Sequence, residues 1–326
     1  MDGFVKIRSV IPLDAIRAAA ERIRGKVHRT PLLSSSQLGE RARPPVRLSL
    51  KCENFQKSGS FKARGALNKI LSLGAAERAR GLVTVSAGNH AAAVAWAARV
   101  AGCSAVVVMP TAAPRSKIEA VQGYGAEIVF HPDRATLFDK LREVERDRGL
   151  TFIHPFDDPV VLAGAGTAGL EIAEDAPDAE VVVVPVGGGG LIGGVASAIK
   201  QMLPAARVVA VELEAGPGLA PALAAGKPVP VKRPETLADG MTPPFVGALP
   251  LEIAREAIDE IVNVSEDEIL EAMRLLLTRA KLYVEGSGAA ATAALLAGRV
   301  TVSPNARVVA LVSGGNVDLD RVAALV

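Results

Sequence analysis

A short β-branched run followed by an alanine-rich helical stretch recurs along this chain, and that alternation constrains its fold more than any other feature. Residues 82–85 lead into 90–100, 104–109 into 116–122, 127–130 into 135–148, and 151–154 into 161–173. Further on, 180–186 lead into 191–201 and 207–213 into 218–224, and 308–313 closes the set. Runs 105–109, 181–184 and 308–312 are continuously apolar, as strands are when helices cover both faces. Repeated β-α units imply parallel sheets with right-handed crossovers. The class is therefore α/β, with doubly wound sheets favoured over a barrel that counting alone leaves open.

At 49% hydrophobic and 22% charged, a chain of 326 residues can bury a large core, in one large domain or two smaller ones. Lys+Arg is 37 and Asp+Glu 35, a net charge of +2, which argues against a domain built to neutralise a polyphosphate, so no nucleic-acid partner is expected. Cys52 and Cys103 have neither the number nor the spacing of a disulfide scaffold or zinc site. His28, His90, His131 and His154 are scattered and form no HExxH pattern. The N-terminus is not a signal peptide, and no apolar run reaches membrane-spanning length unbroken. A soluble, cytoplasmic chain with no membrane partner is expected. Two regions depart from the alternation. Residues 1–45 read as a helix at 13–24, then Thr30-Pro31, then a mixed helix at 34–40; the proline-rich stretch 226–250 reads as an ordered excursion or lid. Ser265 followed by Glu268 is a capping-box signature, and 287–297 is a helix with a very small face.

Four stretches could carry chemistry. Gly187, Gly188, Gly189 and Gly190 directly follow a buried-strand pattern and open a helix at Leu191. Without side chains, successive backbone N–H groups can converge on an anion, and the helix adds its own free N–H groups and positive end. The contiguous glycines match neither the dinucleotide fingerprint nor a Walker loop, so a phosphate cradle or a tight packing turn remains. In the second stretch, 58–66, Ser58 and Ser60 are candidate caps for a helix carrying Lys62 and Arg64. Phe61 and small neighbours suggest that Lys62 is partly enclosed; helix-end potential and desolvation would then favour the neutral amine that a Schiff-base lysine needs, the alternative being a surface lysine. The third, 85–91, turns from strand to helix, where ligands bind in parallel sheets. Ser86, Asn89 and His90 there, with backbone N–H groups, could hold a carboxylate, or form an ordinary turn in which His90 caps or packs. The fourth, 311–316, ends a strand at Ser313, which could bond a cofactor ring or simply begin a turn.

Taken together these stretches resemble the fold-type II pyridoxal-phosphate enzymes (tryptophan synthase β-like), and most closely the threonine/serine dehydratase and serine racemase group. The matching pieces are 51–66, 86–91, 156–171, 187–191, 238–240, 264–268, 284–289 and 313–316, in family order, and the likeness runs from about Ile11 to the C-terminus. It implies that Lys62 binds the cofactor's aldehyde carbon and Phe61 packs near the ring. Asn89 would bond the phenolic oxygen, Gly187 to Gly190 with the Leu191 N–H would hold the phosphate, and Ser313 would face the pyridine nitrogen. Gly240 would lie by the ring face, Glu285 near the ring or substrate, and Ser86, Gly88, Asn89 and His90 around the substrate carboxylate.

The resemblance further implies two α/β domains with parallel-rich twisted sheets: a large cofactor-binding domain of residues 1–74 and 157–326, and a small inserted domain of 75–156 that closes on the substrate. It implies a homodimer and a small hydroxy amino acid as substrate. L-Threonine or L-serine would lose the β-hydroxyl to give a 2-oxo acid and ammonia; the alternatives are serine racemisation, or dehydration of another β-hydroxy amino acid such as hydroxyaspartate or phenylserine. Racemases of the family often carry a serine where this chain has Ala87, which has no transferable proton and so favours dehydration. Of the family's divalent-cation site, Glu212 matches the glutamate and Gly216 could give the carbonyl, while Gly218 stands where a second acid is expected. A phosphate or nucleotide binder using only the glycine loop would leave Lys62 and Ser313 unexplained, and a purely structural protein would leave all four stretches so.

Overall fold

The computed structural model describes residues 10–323. Two sheets form. The larger runs in the order β1 (Leu32–Ser34), β2 (Arg47–Cys52), β10 (Arg307–Val312), β7 (Val181–Pro185), β8 (Arg207–Leu213), β9 (Glu260–Val264); only the β1–β2 pair is antiparallel. The smaller, β5 (Glu127–His131), β4 (Ala105–Pro110), β3 (Leu82–Val85), β6 (Thr151–Phe152), is parallel throughout. This is the two-domain α/β fold with parallel-rich sheets; β1, β2 and β9 join the strands that the alternation marked.

Alternate residues of the central strands enter different cores. Val181, Val183, Val209 and Val211 pack with the helices Glu266–Leu275 and Gly286–Leu296. Val182, Val184, Val208 and Ala210 pack with Pro159–Asp175, Gly190–Met202 and Ala248–Ala257. The period-2 pleat thus puts helices on both faces, which is why these strands carry no polar side. In the smaller sheet Val107 and Met109 share a core with Lys62–Ser72 and Asn89–Ala101, while Val106 and Val108 face Leu137–Arg148. The helix that bears Lys62 therefore lines the smaller sheet's core.

Helix Pro159–Asp175 joins the two halves. On one side it meets Lys62–Ser72 so closely that a Cβ on Gly164 would stand 2.7 Å from both Arg64 O and Gly65 Cα. On the other it meets Gly190–Met202: a Cβ on Gly166 would lie 2.9 Å from Gly194 O, and one on Gly194 would strike Leu162 O and come within 2.6 Å of Gly166 N. Beside the first contact, fully buried Arg64 bonds Glu53 Oε2 at 2.8 Å and Glu171 Oε1 at 2.7 Å, and buried Lys51 bonds Glu171 Oε2 at 2.6 Å. Two cations and two anions balance inside the core, each hydrogen-bonded, as buried charges require.

Ser265 accepts from Glu268 N while the Glu268 carboxylate accepts from Ser265 N, the expected capping box. Within 226–250 the prolines surround one short helical turn, Asp239–Met241. No helix among the described residues is long and apolar enough to cross a membrane.

Replacing Gly194 by alanine pushes a methyl into backbone on the neighbouring helix. Even after the better helix propensity of alanine is credited, a loss of about 1–3 kcal/mol is expected, seen as a lower urea midpoint. A midpoint equal to the parent's would contradict the close crossing.

Candidate active site

Lys62 opens its helix, and the segment before it is stitched to the end of β10. Phe61 N donates to Ser313 O at 3.1 Å, Gly315 N donates to Gly59 O at 2.9 Å, and Ser60 forms an antiparallel bridge with Gly314. Gly59 adopts φ 76°, and a Cβ there would strike the Asn316 amide, so the turn requires glycine. The Lys62 amine donates to Pro155 O at 2.7 Å and lies 5.1 Å from the Phe61 ring centroid. Phe61, Lys62, His90, Pro155, Ala165 and Gly190 line one narrow pocket. Burial brings the lysine down to about 8, so the neutral amine is far more accessible near neutrality than for an exposed lysine.

The glycine loop leaves β7 and enters helix Gly190–Met202, whose crossing with Pro159–Asp175 fixes its position. Side chains are excluded here on all sides. A Cβ on Gly187 would meet Gly240 O at 2.7 Å, one on Gly188 would strike the Phe156 ring, and one on Gly189, at φ 88°, would meet Pro250 Cβ at 2.5 Å. Among the described residues, no protein acceptor takes the N–H groups of Gly187, Gly188, Gly189, Gly190 or Leu191. Five unpaired donors at a helix N-terminus, in a space no side chain can enter, form an anion cradle.

Several other nominated residues meet at the turn after β10, where a Cβ on Gly314 would lie 2.5 Å from Glu285 Oε1 and 3.2 Å from Asn89 Nδ2. Asn89 Nδ2 donates to Glu285 Oε1 at 2.6 Å, and Asn89 Oδ1 accepts from Asn316 at 2.8 Å. Burial, with Asp239 nearby, raises Glu285 to about 7, while the Asn89 bond works the other way. His90 Nε2 contacts Ile153 O at 3.2 Å, Nδ1 has no partner, and burial beside Lys62 brings the ring down to about 3; it is a neutral, packed imidazole. Ser86 Oγ accepts from Gly88 N at 3.1 Å. Ser313 Oγ donates to Ser287 O at 3.2 Å, and a Cβ on Gly240 would lie 2.8 Å from Ser287 Oγ. The buried hydroxyls of Ser60 and Ser287 lack partners. Lys117, on helix Arg115–Gly123 of the smaller sheet, pairs with Asp239 beside Gly240 and so bridges the cleft.

Two nominated residues stand in a different role. Glu212 Oε1 accepts from Gly218 N and Leu219 N, both at 2.6 Å, and Oε2 from Ala220 N at 3.0 Å. Its carboxylate caps helix Leu219–Ala225. Gly216 N donates to Leu213 O in the adjoining turn. Among the described residues no three His, Cys, Asp or Glu side chains converge as metal ligands. Missing from the residues nominated by sequence is the turn 154–158, whose Pro155 carbonyl holds the lysine and whose Phe156 walls the cradle.

Residues 23–314 match the family model described as pyridoxal-phosphate dependent enzyme. The chain belongs to that family. Among its relatives, the catabolic L-threonine dehydratase TdcB of Escherichia coli (strain K12) is 44% identical over 317 residues, 97% of this chain and 96% of that one. An L-threonine ammonia-lyase of Thermotoga maritima is also 44% identical, over 96% of this chain and 77% of its own length. Of solved structures, maize serine racemase superposes with TM-score 0.91 at 37% identity, covering 97% of this chain and 96% of that chain. The T.th. threonine deaminase gives 0.88 at 43%, covering 94% and 98%.

The residues present fit pyridoxal phosphate. The free N–H cradle suits a phosphate, the more readily deprotonated amine suits an aldehyde, and the partnerless polar atoms of Ser60, His90 and Ser287 suit a polar ring.

Holding a lysine below its ordinary value costs stability. The penalty is complete below about 8, and it fades as pH rises toward the ordinary lysine value. Lys62→Met is therefore expected to stabilise the cofactor-free protein at neutral pH by on the order of 2 kcal/mol in urea unfolding, a gain that shrinks in alkaline buffer. No gain at neutral pH would show that the amine is not desolvated.

Proposed function

We propose that this pyridoxal-phosphate enzyme dehydrates and deaminates L-threonine or L-serine to a 2-oxo acid and ammonia. The observation that carries the reading is that the Lys62 amine and Gly190 of the cradle line the same pocket. Likeness to threonine dehydratases along nearly the whole chain supports the substrate class.

When bound, pyridoxal phosphate supplies an electron sink next to the substrate Cα. The chain's part is positioning and proton transfer. Gly187 to Leu191 would hold the phosphate through their N–H groups, and Phe61 and Gly240 would border the ring. Ser313 would offer the pyridine nitrogen a neutral hydroxyl, not a carboxylate that would keep it protonated, and so would favour prompt loss of a β-substituent. The N-terminus of helix Asn89–Ala101, with Ser86, Gly88, Asn89 and His90, receives the substrate carboxylate. Lys62 would serve as the base for the Cα proton, and the Pro155 carbonyl, which accepts from its amine, keeps that amine within the pocket. The smaller sheet shares a core with helix Lys62–Ser72, so closure falls to its cleft-facing edge, where the Lys117–Asp239 pair spans the gap and would help to exclude water.

Ala87 offers no proton on the face opposite the lysine, so elimination outruns racemisation. The overall likeness to a serine racemase keeps racemisation as the second reading. A cytoplasmic homodimer belongs to the same proposal. The exposed rings of Phe55 and Tyr283, on segments joined by the bond from Asn54 Nδ2 to Tyr283 O, support a second copy.

Assaying threonine, serine and bulkier hydroxy amino acids for 2-oxo acid release, while following the chirality of remaining substrate, tests the proposal. Threonine or serine is expected to yield keto acid with little racemisation, and Lys62→Ala to lower the rate at least ~100-fold. Rapid loss of chirality without keto acid would replace the dehydratase by the racemase.

A further inference from the structure

We infer that His154 is a positioning residue for the cofactor lysine and for the wall of the phosphate cradle. The inference rests on the assignment of Lys62 above. His154 Nδ1 accepts from Phe156 N at 3.2 Å and from Asp157 N at 2.8 Å. An unprotonated ring nitrogen thus does what an asparagine oxygen does in an Asx turn, folding the chain back on itself within three residues. Burial brings His154 down to about 4, which keeps that nitrogen an acceptor.

The turn so fixed aims two groups at the site. The Pro155 carbonyl receives the Lys62 amine at 2.7 Å, and the Phe156 ring stands where a Cβ on Gly188 would strike it. The imidazole also packs edge-on between Phe152, at 5.4 Å, and Phe156, at 4.9 Å. Phe156 continues the row to Phe245 at 5.5 Å, and Phe245 to Phe138 at 6.3 Å. Four of the eight phenylalanines of the chain stand in this one row, so the turn is held by packing as well as by hydrogen bonds.

Position explains why one residue has this leverage. His154 follows β6 of the smaller sheet, whereas Asp157 accepts from Ala248 N and Leu249 N, both at 3.0 Å, and Asp158 caps helix Pro159–Asp175. The turn is a passage from one sheet to the other. Its far end is anchored by two carboxylates, and its near end by the histidine.

Two variants separate the acceptor from the ring. His154→Phe keeps an aromatic body and removes the acceptor; His154→Asn keeps an acceptor at Asx-turn spacing and removes the ring. Three quantities are read on each: the dissociation constant for pyridoxal phosphate, the rate at which a small acylating reagent labels Lys62 in cofactor-free protein, and the thermal midpoint. H154F is expected to bind the cofactor at least ~10-fold more weakly and to change the Lys62 labelling rate while still folded, the order of effect seen when a supporting partner of a site is lost. H154N is expected to stay within about threefold of the parent in both, since its turn is kept. Parent-like H154F, or H154N as impaired as H154F, overturns the inference. So does an H154F that loses binding only in proportion to its unfolded fraction, which makes His154 a stability residue. Failure of the unmutated protein to bind the cofactor would instead remove the assignment of Lys62.

Discussion

The site depends on backbone touching backbone along helix Pro159–Asp175. Gly164 lets it approach the lysine helix, and Gly166 with Gly194 lets it approach the helix that follows the phosphate cradle. The separation between Lys62 and Gly190 is therefore set by two helix crossings that admit no side chain. Packed interiors do not deform continuously, so such contacts define a distance instead of a range. The buried set of Arg64, Glu53, Glu171 and Lys51 adds direction, because guanidinium bonds to both Glu53 and Glu171 fix the roll of the lysine helix. Removing any one partner would leave a charge buried without compensation, so the quartet specifies geometry more than it adds stability.

Against that rigid frame the site itself is poorly satisfied. Burial lowers the Lys62 amine to about 8, Glu285 sits near 7, and the backbone donors of the cradle have no protein acceptor among the described residues. Each costs stability in the protein alone, and the amine and the cradle suit the aldehyde and phosphate of pyridoxal phosphate. Folding energy from the valine-rich double core offsets that cost, a common arrangement where activity requires strained or unsatisfied groups.

The central strands were legible because burial on both faces leaves a continuous apolar run, and the cradle because four glycines after such a run serve few other ends. β2 was not. Arg47–Cys52 mixes Arg47, Ser49 and Lys51 with leucines, and Lys51 looks exposed until Glu171, far along the chain, comes to meet it. The start of helix Ala248–Ala257 depends on Asp157, which lies far back along the chain and accepts from the helix's first N–H groups. β6 ends at Phe152, short of 154, because His154 turns the chain. Glu212 could not be distinguished from a cation ligand by its neighbours in sequence; its capping bonds appear only when Gly218 to Ala220 fold over it. His154 had a local signal, the strand-end run His-Pro-Phe-Asp-Asp-Pro, but a lone histidine there reads as packing until its backbone partners are seen.

The central claim is that one amine, held next to the glycine cradle, carries the cofactor. Borohydride reduction of the cofactor-loaded protein, followed by peptide mapping of the covalently attached pyridoxyl group, tests it most directly. A single modified residue is predicted, at Lys62, and the modification is predicted to disappear when inorganic phosphate outcompetes the cofactor at the cradle. Attachment at another lysine, or no attachment in fully loaded protein, would contradict it.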